Sequence, residues 1–505
     1  MPDPRHEELP GKGLNRAVKR GMIWLAVERG GLQVLNLVAS AVLARLLGPA
    51  AFGIMGMSAL FTGVSRRLVN LGFGAAVIRR KDVRPDHFST LFVLTMLVNT
   101  TICLSLVAIS PFAGRYFDNP LVGQVLRWMS LIFVLRAIGT VPSAMLRRRL
   151  DFESNAYASF VDAGVKMLVS VPLAWYGHGV WALVYGELAG SLADKLYLAW
   201  RARWVPSLRV TRAAVNDLFV FGMTMSVRGL VGYAAENIDN LLVGKSLGMV
   251  ALGYYEKSYN LMRMPVAELS SRLGVVLFPA LARIQDEPGR FRAAFRKALL
   301  GMSVVGFPLF ATLVILGGPI ISILYGPKWL AAIVPFQILC ASGPLRMGAQ
   351  LCTSAIDACG NLRQDLWRRF LGLGILVTLV FIGIRWGLPG VAGAVLLSNM
   401  IAFMLLITLL HRVTPLRMTD VLGSQALPAG ATVLLAAVEL AILFTGLRHG
   451  WPAFLILAAA APAGLAAYGL GLYVFRTAPL TALWLELTGD VRSALPWGPH
   501  AGRRA

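Results

Sequence analysis

Residues 22–49 read MIWLAVERGGLQVLNLVASAVLARLLGP. The run is long and apolar enough to cross a bilayer, which takes about 20 such residues. Yet Glu28 and Arg29 stand well inside it, and Gln33 and Asn36 follow. A cation at the centre of a span costs roughly 2.5–3.5 kcal/mol on insertion scales. A helix that keeps these side chains presents them to something other than lipid.

The rest of the chain extends the pattern. Hydrophobic residues make up 57% and charged residues 14%, whereas a soluble domain carries roughly a quarter charged residues. Apolar segments recur from residue 21 to 475, centred near 33, 65, 100, 134, 165, 189, 230, 263, 310, 342, 375, 400, 437 and 464. They predict an all-α polytopic membrane protein of about fourteen transmembrane helices. The first run is too long and too charged for a cleavable leader, and no convincing cleavage site follows it. Cys103, Cys340, Cys352 and Cys359 lie in or beside apolar segments without metal-ligand spacing. They read as buried free thiols, and no metal or cofactor is expected.

The net charge of +23 is distributed by side. Thirty of the 48 Lys and Arg fall in the two tails and in alternate loops, among them RRKDVR (79–84) and RRR (147–149). The opposite loops hold six: Arg45, Arg115, Lys245, Lys328, Arg385 and Arg448. This asymmetry places both termini in the cytoplasm. The basic excess then sets topology and meets anionic membrane lipids, so nucleic acid is not an expected partner. Twelve basic residues remain inside spans: Arg29, Arg66, Arg67, Arg127, Arg136, Lys166, Lys195, Arg228, Lys257, Arg263, Arg272 and Arg346. Lys166 and Lys195 have local acids in Asp162 and Asp194.

An internal repeat organises the spans. LARLLGPAAFG (43–53) and VGKSLGMVALG (243–253) match at Arg45/Lys245, Leu47/Leu247, Gly48/Gly248 and Gly53/Gly253, all offset by 200 residues. Six spans per copy give parallel repeats, which pack about an axis along the membrane normal with the binding site between them. The expected organisation is a basic tail (1–20), a lobe of six spans (21–200), a linker (201–213), a second six-span lobe (214–412), two added helices (413–475) and a cytoplasmic tail (476–505). Pro142, Pro172, Pro265, Pro308 and Pro344 lie in spans and read as packing positions rather than hinges.

Helical spacing accounts for the charges in the opening run. Arg29, Gln33, Asn36 and Ser40 fall at i, i+4, i+7 and i+11, one stripe of the first helix. Ser58, Thr62, Ser65, Arg66 and Asn70 make a comparable face on the second helix. Arg228, Gly232, Glu236, Asp239 and Asn240 do so on the seventh, and Glu256, Tyr259, Asn260 and Arg263 on the eighth. Lipid satisfies none of these groups, so the stripes are expected to face a shared wet cavity. Mutual pairing, such as Glu28 with Arg29 or Glu256 with Arg263, is the competing reading for any one residue. As a set, the central cations outnumber the available acids, which points to an anionic ligand. Arginine offers phosphate oxygens planar, bidentate donors that stay charged.

LARLLGPAAFGIMGMSALFTGVSRRLVNLGFGAAVIRRKDV (43–83), MLRRRLDFESNA (145–156), ENIDNLLVGKSLGMVALGYYEKSYNLMRMP (236–265), VLFPALARIQ (276–285) and YGPKW (325–329) carry a resemblance. In their order and spacing they resemble Wzx-type flippases of lipid-linked oligosaccharides, in the MOP superfamily. The likeness is strong over about 15–415 and weak over the last two helices. It implies two pseudo-symmetric six-helix lobes plus two C-terminal helices, a central cationic cavity and alternating access. It also implies a bacterial inner-membrane transporter, with no enzymatic activity. The implied substrate is a prenyl-diphosphate-linked repeat unit for O-antigen, capsule or exopolysaccharide, with a polymerase and export machinery as further partners. On this reading Arg29, Arg66, Arg228 and Arg263, with Gln33, Asn36 and Asn260, contact the headgroup. Glu236 and Asp239 either bind a coupling ion or pair with Arg228, pairing being slightly favoured.

Three other readings compete. A drug or cation antiporter of the same superfamily wants acids to dominate the cavity. A lipid II flippase shares the diphosphate, but 145–156 and 236–285 match the polysaccharide branch better. A polytopic enzyme wants sizeable loops with acids, bases or metal ligands, whereas YGHGV (176–180), GKSLGM (244–249) and IRWGLP (384–389) are short. GKS at 244–246 is no phosphate loop, because Asp239 stands where the opening glycine belongs.

Overall fold

The computed structural model describes residues 11–69, 85–204, 232–233, 236–360 and 362–474. Among these residues the regular structure is helical throughout. The first half holds α1 (Gly11–Leu46), α2 (Pro49–Val69), α3 (Pro85–Tyr116), α4 (Pro120–Met129), α5 (Leu131–Arg148), α6 (Phe152–Trp175) and α7 (Val180–Ala202). A helix over 236–246, α8, leads into α9 (Gly248–Arg283). Then come α10 (Pro288–Ile315), α11 (Gly317–Tyr325), α12 (Ile333–Ala341), α13 (Gly343–Ala358), α14 (Leu362–Gly383), α15 (Gly387–Val413), α16 (Met418–Arg448) and α17 (Ala453–Val474).

Eight stretches among the described residues are long and apolar enough to cross a membrane, including Phe88–Tyr116, Pro120–Arg148, Met418–Arg448 and Ala453–Val474. Helices α1, α2, α7 and α9 are also long enough, at 36, 21, 23 and 36 residues, and carry the charges noted above. About fourteen spans are compatible with these elements. Four of the five span prolines, Pro142, Pro172, Pro265 and Pro308, lie inside helices, whereas Pro344 opens α13.

The chain divides into two compact units, Met1–Glu256 and Lys257–Ala505, with the boundary inside α9. In the first unit α6 and α7 approach closely through glycines. A Cβ at Gly190 would lie 2.6 Å from the Asp162 carbonyl oxygen, and one at Gly186 would strike the Ser170 hydroxyl. Small residues let membrane helices meet at backbone distance. The turn between α5 and α6 explains MLRRRLDFESNA. Asp151 caps α6 by accepting from the Ser154 amide at 3.0 Å, and Leu150 takes φ +57°. Arg201, near the end of α7, donates to Ser154 Oγ at 2.9 Å and so ties α7 to that cap.

The repeat-equivalent glycines meet. A Cβ on Gly53 in α2 would lie 1.8 Å from the Met249 carbonyl oxygen, and one on Gly253 in α9 would lie 1.9 Å from that of Pro49. Further along α2, Tyr233 rests on Gly63 and donates to the Ala59 carbonyl at 3.1 Å. The face of α2 from Gly53 to Gly63 thus receives Met249, Gly253, Glu256 and Tyr233.

In the second unit YGPKW forms the break between α11 and α12. Gly326 takes φ +85°, which glycine adopts without strain. Trp329 is fully buried against Tyr325, ring centroids 5.6 Å apart. The α16–α17 pair packs on α10 and α11 through Ala431, Leu435 and Tyr468 on one side and Leu316, Ile456 and Ala460 on the other.

Candidate functional site

The polar stripe of α1 divides by helical angle. Glu28 turns toward α6, where its Oε1 accepts from Ser159 Oγ at 2.7 Å. Arg29 and Asn36 are exposed and Gln33 is half-buried. These three make no hydrogen bond or ion pair among the described residues. Glu28 therefore does not neutralise Arg29: α6 claims the acid and leaves the cation on the open face.

On α2 the stripe is mostly closed. Ser58, Thr62 and Ser65 are buried. Thr62 Oγ1 donates to the Ser58 carbonyl at 3.1 Å. Thr62 thus satisfies its hydroxyl on its own helix, whereas the buried Ser58 Oγ has no hydrogen-bond partner among the described residues. Arg66 and Arg67 stay exposed, and Arg67 lies over the Tyr233 ring at 5.6 Å from its centroid. Arg66 has no hydrogen-bond or ion-pair partner among the described residues. Asn70 and Arg228 lie outside the described residues.

Glu236 is exposed at the start of α8, whereas Asp239 is buried. Asp239 Oδ2 accepts from the Tyr255 hydroxyl at 2.6 Å, and its Oδ1 accepts from the Asn240 amide at 2.9 Å. This carboxylate joins α8 to α9. The spacing of ENIDN and GYYEK is that of one interhelical hydrogen bond. Tyr255→Phe strips the buried carboxylate of its phenol and is expected to lower stability by about 1–3 kcal/mol. Thermal unfolding in detergent checks this.

Asn260 and Arg263 share one face of α9, both exposed, in the second unit. Neither has a hydrogen-bond or ion-pair partner among the described residues. Tyr259, about 40° from Arg263 in helical angle, is buried beneath the Arg346 guanidinium of α13 at 5.0 Å.

The first unit also contains a charge network that the stripes did not reveal. Lys166 on α6 pairs with Glu187 on α7 rather than with Asp162, its i−4 neighbour. Gly186 and Gly190 bring α7 close enough for that choice. Lys195 pairs with Asp194, and its aliphatic stem crosses Gly139 of α5. Arg136, one turn before Gly139, is half-buried and lies in the fields of Arg66, Glu187, Asp194 and Asp162. The sequence signal for Arg136 and Glu187 was only their presence inside apolar runs.

Three comparisons place this arrangement among known proteins. A family model described as "Polysaccharide biosynthesis protein" matches residues 42–334. The lipopolysaccharide biosynthesis protein WzxC of Escherichia coli (strain K12) is 26% identical over 364 residues, covering 72% of this chain and 73% of that one. The probable flippase AglR of Haloferax volcanii is 26% identical over 420 residues, covering 80% and 84%. Among solved structures, the lipid II flippase MurJ in an inward closed conformation superposes with TM-score 0.70 at 14% identity, over 90% of this chain and 98% of that one. At that identity the likeness shows the fold alone.

Proposed function

This chain belongs to the polysaccharide biosynthesis protein family, and on that premise we propose that it flips a prenyl-diphosphate-linked oligosaccharide across the bacterial inner membrane. It is a multi-pass transporter of the flippase type, in keeping with its relative AglR, a probable flippase. The observation that carries the substrate class is the set of arginines on open helix faces. Arg29, Arg66 and Arg263 are exposed, lie within spans and have no protein partner among the described residues. A cation left unpaired at membrane depth is retained for a ligand. A diphosphate supplies two adjacent phosphate groups to match guanidinium forks.

Arg29 and Arg66, with Gln33 and Asn36, are the donors of the first unit. Arg263 and Asn260 are those of the second, and Arg228 belongs with them on sequence grounds. The prenyl tail stays in lipid while the headgroup crosses by alternating access. Both termini face the cytoplasm, the side on which the lipid-linked unit is loaded. Glu236 is exposed and remains the acid available for ion coupling, whereas Asp239 is committed to Tyr255.

Deletion of the gene tests the reading. The expected result is loss of surface polysaccharide, with complete lipid-linked units held on the cytoplasmic leaflet. Flipped but unpolymerised units would point to an enzyme acting outside, and unchanged pools with altered drug tolerance to an antiporter. At residue level, Arg29→Ala with Arg66→Ala is expected to abolish export while membrane insertion is unchanged. Full export by that double variant removes diphosphate binding at these residues.

A further inference from the structure

Glu439 on α16 lies about 14 Å of helix short of Arg448 and is fully buried. Its Oε1 accepts from Thr312 Oγ1 of α10 at 2.7 Å. Its Oε2 is buried with no partner. From α17, Gly464 faces the carboxyl so closely that a Cβ there would lie 2.6 Å from Glu439 Cγ and 2.8 Å from Oε1. One turn further along α17, Tyr468 commits its hydroxyl to the Val304 carbonyl of α10 at 2.9 Å. The same helices also meet through two apolar clusters, one holding Ala431, Leu435, Ala311 and Leu472 and the other Ile315, Ile442, Leu443 and Ala460. No Lys, Arg or His pairs with Glu439 among the described residues.

A carboxylate in this place would have one neutral donor and no cation, surrounded by hydrocarbon. An isolated buried charge costs far more than one hydrogen bond returns, and the group takes up a proton instead. We propose that Glu439 is held as the neutral carboxylic acid and serves as a positioning residue, pinning the α16–α17 pair to α10 in one register. Apolar helices slide past one another at little cost, and a single polar contact in such a seam sets their register. Gly464 is the socket: any larger residue occupies the space of the acid. The pin uses Glu439 as a hydrogen-bonding shape, so glutamine replaces it.

The test uses the full chain purified in detergent at neutral pH. Infrared difference spectra between wild type and Glu439→Gln are expected to show the carbonyl band of a protonated carboxyl, present in wild type and lost in the variant. Thr312→Val is expected to move that band to higher frequency and to lower the unfolding midpoint by about 2 °C. Glu439→Gln is expected to keep both the wild-type midpoint and export. A wild type without the band overturns the neutral acid. A Glu439→Gln protein with the wild-type midpoint but no export overturns the pin and makes Glu439 a titrating group. Should that variant fail to accumulate, the Thr312→Val spectrum decides, because an unmoved band also overturns the contact. The infrared readings do not depend on what is transported.

Discussion

Gly253→Ala is expected to unfold several degrees below wild type, although alanine is the better helix former by about 1 kcal/mol. The added Cβ would lie 1.9 Å from the Pro49 carbonyl oxygen. That atom is backbone and cannot rotate away, so α2 and α9 must separate. Overpacking of this kind costs about 1–3 kcal/mol, and a kilocalorie is worth about 2–4 °C in a domain of 150–250 residues. Separation also lifts Glu256 from Gly56 and Met249 from Gly53, so the loss spreads along the crossing. Gly53→Ala, with its Cβ 1.8 Å from the Met249 carbonyl oxygen, is expected to behave alike. Gly30→Ala is the control, because nothing lies within 4 Å of its Cβ and only the helix preference remains. Thermal unfolding of the three purified variants checks the set. A Gly253→Ala midpoint equal to that of Gly30→Ala would falsify the close crossing.

Glu187→Ala carries the second large effect. It leaves Lys166 charged inside the first unit without its partner. Removing one member of a fully buried pair costs about 3–5 kcal/mol. These side chains are 35% and 24% exposed, so about 2 kcal/mol is the expected loss. Lys166→Met in the same chain is expected to restore most of it, because the cost belongs to the orphaned charge rather than to missing atoms. A double-mutant cycle on unfolding midpoints reads the coupling directly. Additive losses from the two substitutions would show that the pair is not coupled.

Much of the site on α1 was legible in the residues. Arg29, Gln33 and Asn36 recur at helical spacing, and the helix turns them to one open face. Glu28, about 100° away in angle, turns to α6 by the same geometry. On α2 periodicity put the hydroxyls on one face with Arg66 but could not tell which of them packing would cover. Ser58 and Thr62 share the stripe with Arg66 and are nonetheless buried. The signature segments around 145–156, 236–265 and 325–329 also carry structural contacts. They hold a helix cap at Asp151, an interhelical bond at Asp239 and a buried tryptophan at Trp329.

Composition, run length and the side on which Lys and Arg accumulate suffice for a polytopic helical membrane protein, because a bilayer admits few ways to satisfy a backbone. Helical spacing suffices for the open face of α1. Which acid meets which base was decided only on packing. Lys166 passes over Asp162 on its own helix for Glu187 on another, and Glu439 finds Thr312 some 127 residues away. Those choices follow from how closely two helices approach. The approach is set by glycines such as Gly186, Gly190 and Gly464, whose effect exists only where a second backbone or side chain fills the space they leave.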